Sequence, residues 1–195
     1  MRPAAFLDRD GTLIKHVHHL RDPADVQLIE GAADAVRMLR QADFACVVVT
    51  NQSVVGRGML TLNGLARVHD RMHQLLAREN ASLDGVFYCP DAPTNGDRTT
   101  ITHGDRKPEP GMLIRAAKEL GLALEESWMV GDMISDMLAG RNAGCRGTVL
   151  VRTGLGGKTQ EGHEAIDFVT ESLRSAVEII LATQGNVVTG SRQLG

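Results

Sequence analysis

A chain of 195 residues is long enough for one domain with a sizeable hydrophobic core, and a second catalytic domain is not expected. Its 43% of hydrophobic and 23% of charged residues are typical of a globular protein and exclude a disordered or coiled-coil chain. The net charge of −3 and the 3% of aromatic residues argue against nucleic acid or an acidic membrane surface as the main partner.

Short apolar runs alternate with helical patterns along the chain, which predicts a mostly parallel sheet built from βαβ units. In chain order, the predicted elements are strand 4–7, helix 32–41, strand 45–49, helix 61–79, strand 86–88, helix 110–120, strand 127–130, helix 135–143, strands 147–151 and 167–169, and helix 171–181. We expect a three-layer α/β sandwich over residues 1–183, with a loop insertion at about 89–106 and no large cap domain. Residues 184–195 lack periodicity and are expected to form a mobile tail.

The cysteines and the start of the chain favour a reducing compartment. Cys46, Cys89 and Cys145 are odd in number and show no paired spacing, so a disulfide framework is not indicated. The first carboxylate pair follows the N-terminus too closely to leave room for a signal peptide. The longest apolar run is far shorter than the roughly 20 residues that cross a bilayer. We therefore expect a cytoplasmic protein that is a monomer or a weak homodimer.

Polar residues follow three of the predicted strands directly. Asp8 and Asp10 come after the first strand, Thr50 and Asn51 after the second, and Asp132 after strand 127–130. Because the carboxyl ends of parallel strands meet at one crevice, we expect these side chains to converge. Asp8 and Asp10 share one side of an extended segment, so one carboxylate could attack phosphorus while the other donates a proton to the leaving oxygen. The alternative for Asp8 and Asp10 is a solvated loop. The alternative for Thr50 and Asn51 is a helix-capping or turn pair.

Four segments carry a resemblance to a known family. They are Asp8-Arg9-Asp10-Gly11-Thr12, Thr50-Asn51-Gln52-Ser53, Arg106-Lys107-Pro108, and Gly131-Asp132 with Asp136. In order and spacing they resemble the motifs of haloacid dehalogenase-like phosphatases, which implies a Rossmann-type fold. The Thr-Asn-Gln-Ser run with Arg57 behind it, and the Arg-Lys-Pro-x-Pro-Gly-Met run, are similar to those of D-glycero-D-manno-heptose 1,7-bisphosphate phosphatases and of histidinol-phosphate phosphatases.

The resemblance implies a division of catalytic work. Asp8 would be the nucleophile that forms an aspartyl-phosphate, and Asp10 the acid that protonates the leaving group and then activates water. Thr50 would donate to the phosphoryl group, and Lys107 would neutralise that group and keep Asp8 ionised. Such a set suits phosphoryl transfer, which depends on positioning and charge neutralisation. The alternative for Lys107 is a solvated surface charge.

The same resemblance implies a Mg²⁺ site and a substrate site. Asp8, Asp132 and the Asp10 backbone carbonyl would hold Mg²⁺, and Asp136 would orient that set, unless it is only a favourable charge at a helix N-terminus. The expected substrate-binding residues are Gly11, Asn51, Gln52, Ser53, Arg57, Arg106, His16 and His19. Arg57 as a mere surface charge, and residues 16–19 as an exposed polar loop, remain alternatives.

The chain departs from its branch in three places. His16-Val17-His18-His19 stands where the heptose branch commonly has Asp-His-Gly-Tyr, and Met133 stands where it usually has lysine. Relatives hold zinc in the loop before Arg-Lys-Pro, and alignment puts Cys89, Asp91, His103 and Asp105 at the four ligand positions. Since two carboxylates replace softer ligands, we expect no structural zinc.

The expected function is hydrolysis of one phosphate of a sugar bisphosphate, with D-glycero-D-manno-heptose 1,7-bisphosphate as the first substrate hypothesis. Histidinol phosphate is the rival substrate, but its amine would favour an acidic patch over Arg57 and Arg106. A non-catalytic phosphate-binding protein on this fold would have lost Asp8 or Asp132, and both are present. A phosphomutase would need a large cap to exclude water.

Overall fold

The structure, a computed structural model, describes residues 1–93, 104–159 and 162–185. Six strands form one parallel sheet in the order β3-β2-β1-β4-β5-β6. They are β1 (Ala4–Leu7), β2 (Ala45–Asn51), β3 (Gly85–Cys89), β4 (Trp128–Gly131), β5 (Gly147–Val151) and β6 (Phe168–Thr170). The strand order reverses at β1, which pairs with both β2 and β4. Ligand crevices of open α/β sheets lie at such a reversal, beyond the strand carboxyl ends.

Helices cover both faces of the sheet. They are α1 (Ala32–Gln41), the one-turn α2 (Ser53–Gly56), α3 (Leu62–Arg78), α4 (Gly111–Leu120), α5 (Ile134–Asn142) and α6 (Leu173–Gly185). Helices α1, α3 and α6 share one buried apolar cluster, while α4 and α5 share another on the opposite face. The predicted three-layer α/β sandwich is therefore confirmed.

Strands β1 and β2 are buried on both faces, which explains their continuous apolar sequence. Successive residues of β1 alternate between the two clusters: Ala5 and Leu7 pack toward α1 and α6, whereas Ala4 and Phe6 pack toward α4. All four are fully buried. Between β1 and α1 the chain forms loops and one short 3-10 helix, Pro23–Asp25, instead of a cap domain.

Most predicted elements lie where the sequence puts them, and the differences are at their ends. Strand β2 runs two residues beyond 45–49, to Asn51, because β3 continues to pair with it there. Helix α6 ends at Gly185, inside the segment predicted as a tail, and residues 186–195 lie outside the described part of the chain. The one-turn helix α2 was not predicted. None of the described helices is both long and apolar enough to cross a membrane.

Candidate active site

The carboxyl ends of β1, β2 and β4 open into one pocket. Of the predicted catalytic, metal-binding and substrate-binding residues, those that line it are Asp8, Asp10, His16, His19, Thr50, Asn51, Gln52, Ser53, Arg57, Arg106, Lys107, Asp132 and Asp136. The fold thus brings together residues that are more than 120 positions apart in the sequence. Gly11 is the one predicted residue of this group that is not among those lining the pocket.

The floor of the pocket is a buried cluster of three carboxylates. Oxygen atoms of Asp8, Asp132 and Asp136 lie within 4.8 Å of one another. Lys107 Nζ donates to Asp8 Oδ1 at 2.6 Å and to the Val49 carbonyl oxygen at 2.8 Å, and it lies 2.6 Å from Asp136 Oδ1. An ammonium group has three donors, so these three acceptors satisfy it and fix its position.

The electrostatics of this floor favour a bound cation. Burial raises the pKa of Asp8 to about 7 and that of Asp132 to about 8, and the neighbouring carboxylates add to both shifts. Burial alone would lower the pKa of Lys107, but Asp136 and Asp8 outweigh it and raise that pKa. Three ionised carboxylates against one ammonium would leave two negative charges uncompensated. This donor set fits Mg²⁺, which prefers hard oxygen ligands.

Asp132 is held from behind by a turn that follows β5. The backbone N–H of Leu155 donates to Asp132 Oδ2 at 2.7 Å. Gly11 and Gly154 have φ of 89° and 59°, and a Cβ on either would lie 2.2 or 2.3 Å from the same oxygen. Thr153 Oγ1 donates to the Gly11 carbonyl oxygen at 2.6 Å and ties the turn to the end of β1. The turn therefore holds Oδ2 of Asp132.

This turn was not predicted from the sequence, and the glycine at position 11 was explained there in a different way. Gly11 was expected to let the backbone approach phosphate oxygens, whereas the space of its missing side chain is filled by Asp132 and Gly154. The signal for the turn was present in the sequence. A threonine and a glycine follow predicted strand 147–151, in the same way that polar residues follow the other strands.

Asn51 clamps the backbone of Lys107. Its Nδ2 donates to the Lys107 carbonyl oxygen at 3.0 Å, and its Oδ1 accepts from the Lys107 N–H at 3.1 Å. Asn51 was predicted as a donor to the substrate phosphate, and this commitment of its amide was not foreseen. Thr50 Oγ1 accepts from Gln52 Nε2 at 2.8 Å. The end of β2 therefore positions its neighbours as well as lining the pocket.

Asp136 contacts both Lys107 and the N-terminus of α5. Its Oδ1 contacts Lys107, and its Oδ2 accepts from the backbone N–H of Met133 at 3.0 Å, which caps the N-terminus of α5. The two alternatives for Asp136, an orienting residue and a helix-terminal charge, are therefore both compatible with its contacts. The residue Asp136 is 2% exposed, so it belongs to the pocket floor.

Arg9 forms a buried hydrogen-bond network that was not expected from the sequence. It is 1% exposed. Its Nε donates to Asp10 Oδ2 at 3.0 Å, and its Nη2 donates to Asp10 Oδ1 at 3.1 Å and to Gln52 Oε1 at 2.9 Å. Its Nη1 lies 3.0 Å from Nε2 of His69, on α3. His69 is 8% exposed and is buried against this guanidinium.

The outer wall of the pocket carries positive charge. Arg57 is exposed, and Arg106 Nη1 donates to Ser53 Oγ at 3.0 Å and to the Asp91 carbonyl oxygen at 2.9 Å. Desolvation, then His18 and Arg57, hold the pKa of His19 below its usual value, so this ring is neutral near pH 7. An anionic floor that fits a cation and a cationic wall can hold a ligand with two separated phosphate groups.

The predicted zinc positions are only partly within the described chain. Cys89 is buried, and its Sγ donates to Asp91 Oδ2 at 3.8 Å. His103 lies outside the described residues. Asp105 accepts from Arg115 Nη2 at 3.0 Å. The expectation of no structural zinc stays a prediction.

Comparisons with known proteins agree with this geometry. The HAD-hydrolase-like family model matches residues 105–176. The chain is 40% identical over 188 residues to the D-glycero-D-manno-heptose-1,7-bisphosphate 7-phosphatase of Thermosynechococcus vestitus, covering 92% of this chain and 95% of that one. It is 39% identical over 183 residues to the Escherichia coli K12 enzyme of that activity, covering 93% and 95%.

Solved structures point the same way. The heptose 1,7-bisphosphate phosphatase of B. bronchiseptica, complexed with magnesium and phosphate, is similar with a TM-score of 0.82 and 34% identity, covering 94% of this chain and 99% of that one. The chain therefore belongs to the D-glycero-D-manno-heptose-1,7-bisphosphate 7-phosphatase family of the HAD-like hydrolases.

Proposed function

We propose that this protein is a Mg²⁺-dependent phosphatase that removes the 7-phosphate of D-glycero-D-manno-heptose 1,7-bisphosphate. One observation carries the proposal: Asp8 is buried on the pocket floor with Lys107 Nζ at 2.6 Å and Asp132 beside it. A buried carboxylate fixed by an ammonium and adjacent to a cation site is what an attacking nucleophile for phosphorus requires. Arg57 and Arg106 on the outer wall would receive the second phosphate.

In the first half of the reaction, an oxygen of Asp8 forms a bond to phosphorus as the bond from phosphorus to the C7 oxygen breaks. The electron pair of the broken bond stays on that oxygen, and Asp10 donates the proton that makes it a hydroxyl group. Lys107 favours the ionised form of Asp8 and directs the carboxylate by holding Oδ1. General acids of this kind contribute about 10²–10⁴ in rate.

In the second half, Asp10 is a carboxylate and takes a proton from a water molecule as the water oxygen attacks phosphorus. Inorganic phosphate leaves, and Asp8 is restored as a carboxylate. Lys107 lies against both Asp8 and Asp136, so its ammonium group remains beside the phosphoryl group throughout. Thr50, at the end of β2, would donate its hydroxyl proton to a phosphoryl oxygen.

We propose that Asp8, Asp132 and the backbone carbonyl of Asp10 hold the Mg²⁺. When bound, the ion supplies charge neutralisation to the transferring phosphoryl group. Asp136 is already engaged by Lys107 and by the Met133 N–H, so it would orient the site instead of binding the ion itself. The turn that carries Gly154 and Leu155 would keep the Asp132 carboxylate directed toward the ion.

The charge of the outer wall separates the two candidate substrates. Histidinol phosphate carries an amine, which Arg57 and Arg106 would repel, whereas a second phosphate would be attracted by both. Ser53, His16 and His19 would contact the sugar between the two phosphate sites. Phosphate release with Mg²⁺ should give a higher kcat/KM for the heptose bisphosphate than for histidinol phosphate, and the reverse order would reject the substrate assignment.

We also propose that residues 89–105 hold no structural zinc. Cys89 is the one thiol among the four aligned positions, and two of the others, Asp91 and Asp105, are carboxylates. Elemental analysis of protein purified without chelator should find far less than one zinc per chain. About one zinc per chain, lost on chelation, would overturn this proposal without affecting the phosphatase proposal.

The remaining proposals concern organisation. Residues 1–183 would act as one domain with its loop insertion at about 89–106, as a monomer or a weak homodimer. We place the reaction in the cytoplasm, which is supported by three cysteines that are all free and buried. Sedimentation of the purified chain at several concentrations tests the assembly state, and a stable tetramer would contradict it.

A further inference from the structure

Arg9 is a buried arginine beside Asp10. Burying a guanidinium without acceptors is costly, so its hydrogen-bond partners are informative. Arg9 reaches three polar side chains: both oxygens of Asp10, Oε1 of Gln52 and Nε2 of His69. Gln52 closes the network by donating from Nε2 to Asp10 Oδ2 at 3.0 Å. Asp10 faces the pocket with 21% of its side chain exposed, whereas Arg9 is almost completely enclosed.

Asp10 by itself would be poorly oriented. The torsion that turns an aspartate carboxyl about its Cβ–Cγ bond is broad, so an unrestrained carboxyl samples many directions. Proton transfer to a leaving oxygen requires a group held within about 0.5 Å of its working position. Arg9 contacts both carboxyl oxygens and Gln52 contacts one, so these hydrogen bonds restrict rotation of the carboxyl group.

His69 completes the arrangement by fixing Arg9. A guanidinium donates and never accepts, so Nε2 of His69 must be the acceptor, and its proton must be on Nδ1. Burial and then Arg9 lower the pKa of His69 to about 3, which keeps the ring neutral. His69 lies on α3, an element that contributes none of the residues that line the pocket within the described part of the chain. This helix therefore reaches Asp10 through the contacts of His69 with Arg9 and of Arg9 with Asp10.

We infer that Arg9 and His69 are positioning residues that hold the Asp10 carboxyl for proton transfer to the leaving oxygen. The inference rests on the acid role proposed for Asp10. Neither residue touches the phosphoryl group in this account, so each acts through Asp10 alone. Their loss should weaken protonation of the leaving group and spare the attack by Asp8.

Leaving-group dependence isolates this effect. Phenyl phosphate and 2,4-dinitrophenyl phosphate have the same charge and a similar shape, but dinitrophenolate departs without a proton and phenolate does not depart readily. The value of kcat/KM reports steps up to the first irreversible one, the departure of that group, so the later use of Asp10 as a base does not enter. His69→Leu should lower kcat/KM for phenyl phosphate about tenfold or more, and for the dinitrophenyl ester less than about threefold.

Three further variants make the result specific. His69→Gln keeps an acceptor oxygen and should restore the wild-type ratio of the two esters to within about threefold. His73→Leu makes the same change one turn further along α3, at a partly exposed position, and should leave the ratio unchanged. Arg9→Lys keeps the charge but cannot make the forked contacts, and it should reproduce the selective loss if His69→Leu does not fold.

Asp10→Asn separates failure of the inference from failure of the proposed function. If Asp10→Asn lowers both esters equally, Asp10 is not the acid, and the proposed mechanism is wrong together with the inference. If Asp10→Asn is selective for phenyl phosphate and the folded His69→Leu and Arg9→Lys variants are not, the positioning inference alone is overturned. The expected result is a selective loss for phenyl phosphate in Asp10→Asn, His69→Leu and Arg9→Lys, with unchanged thermal unfolding in His73→Leu.

Discussion

Gly154→Ala should disturb the proposed cation site, because the added methyl group would collide with the Asp132 carboxylate. The added Cβ would lie 2.3 Å from Asp132 Oδ2 and 2.4 Å from the Gly11 Cα, where ordinary contact begins at 3.4 Å. The carboxylate or the turn must therefore move by about 1 Å. Alanine at a left-handed φ costs about 1–2 kcal/mol, and overpacking adds about 1–3 kcal/mol. The free energy of unfolding should fall by about 2–5 kcal/mol.

The same movement should weaken Mg²⁺ binding. Mg²⁺ demands near-ideal octahedral geometry, and disturbing the groups that orient a ligand costs about 10–100-fold in metal affinity. Calorimetric titration of the metal-free protein with Mg²⁺ would measure the change in Kd, and urea unfolding would measure the stability. The prediction is a Kd raised about tenfold or more in Gly154→Ala.

Gly121→Ala is the matched control for this variant. Gly121 has φ of 67°, and an added Cβ there would meet nothing within 4 Å, so alanine brings the backbone strain without the collision. This control should lose about 1–2 kcal/mol and bind Mg²⁺ as the wild type does. If Gly154→Ala also bound Mg²⁺ normally and lost no more stability than Gly121→Ala, the role given to the turn behind Asp132 would be refuted.

Four other predictions use kinetics, titration and unfolding. Asn51→Leu releases the backbone of Lys107 and should lower kcat about tenfold with little change in KM, and an unchanged kcat would reject the clamp. Since burial raises the pKa of Asp8 and Asp132, Mg²⁺ must displace protons from them, so calorimetry should show weaker binding at about pH 6 than at about pH 8.5. Both folded-state values exceed those of the unfolded chain, so metal-free stability should fall as the pH rises through about 8. Arg57→Ala should raise KM for the heptose bisphosphate far more than for phenyl phosphate, and equal effects would reject the second-phosphate contact.

The sequence predicted the frame of the site because hydrophobic periodicity reports burial, and burial determines which runs become parallel strands. Once β1, β2 and β4 are recognised, their carboxyl ends must lie together, and Asp8 and Asp132 follow directly. Lys107 was found differently, from the spacing of the Arg-Lys-Pro run in the family it resembles. No local pattern could have placed it, since the loop before it has no periodicity.

The contacts between polar side chains could not be predicted in the same way. His69 stands at a helical position where either packing or exposure would produce the same sequence, so its partner Arg9 is known only once α3 is docked. Asn51 looked like a phosphate donor because it follows a buried strand, and its clamp on Lys107 depends on a loop 56 residues later. Periodicity says which side chains are inside, but not which hydrogen-bond partners they meet there.

The central claim is that Asp8 accepts the phosphoryl group. The most direct measurement is acid quenching of the enzyme during turnover of the heptose bisphosphate with Mg²⁺, followed by mass spectrometry of the peptide that contains Asp8. A phosphoryl group should be found on Asp8 in the wild type and none in a folded Asp8→Asn variant, which should also lose turnover. Turnover without any phosphorylated Asp8, or normal turnover by Asp8→Asn, would contradict it.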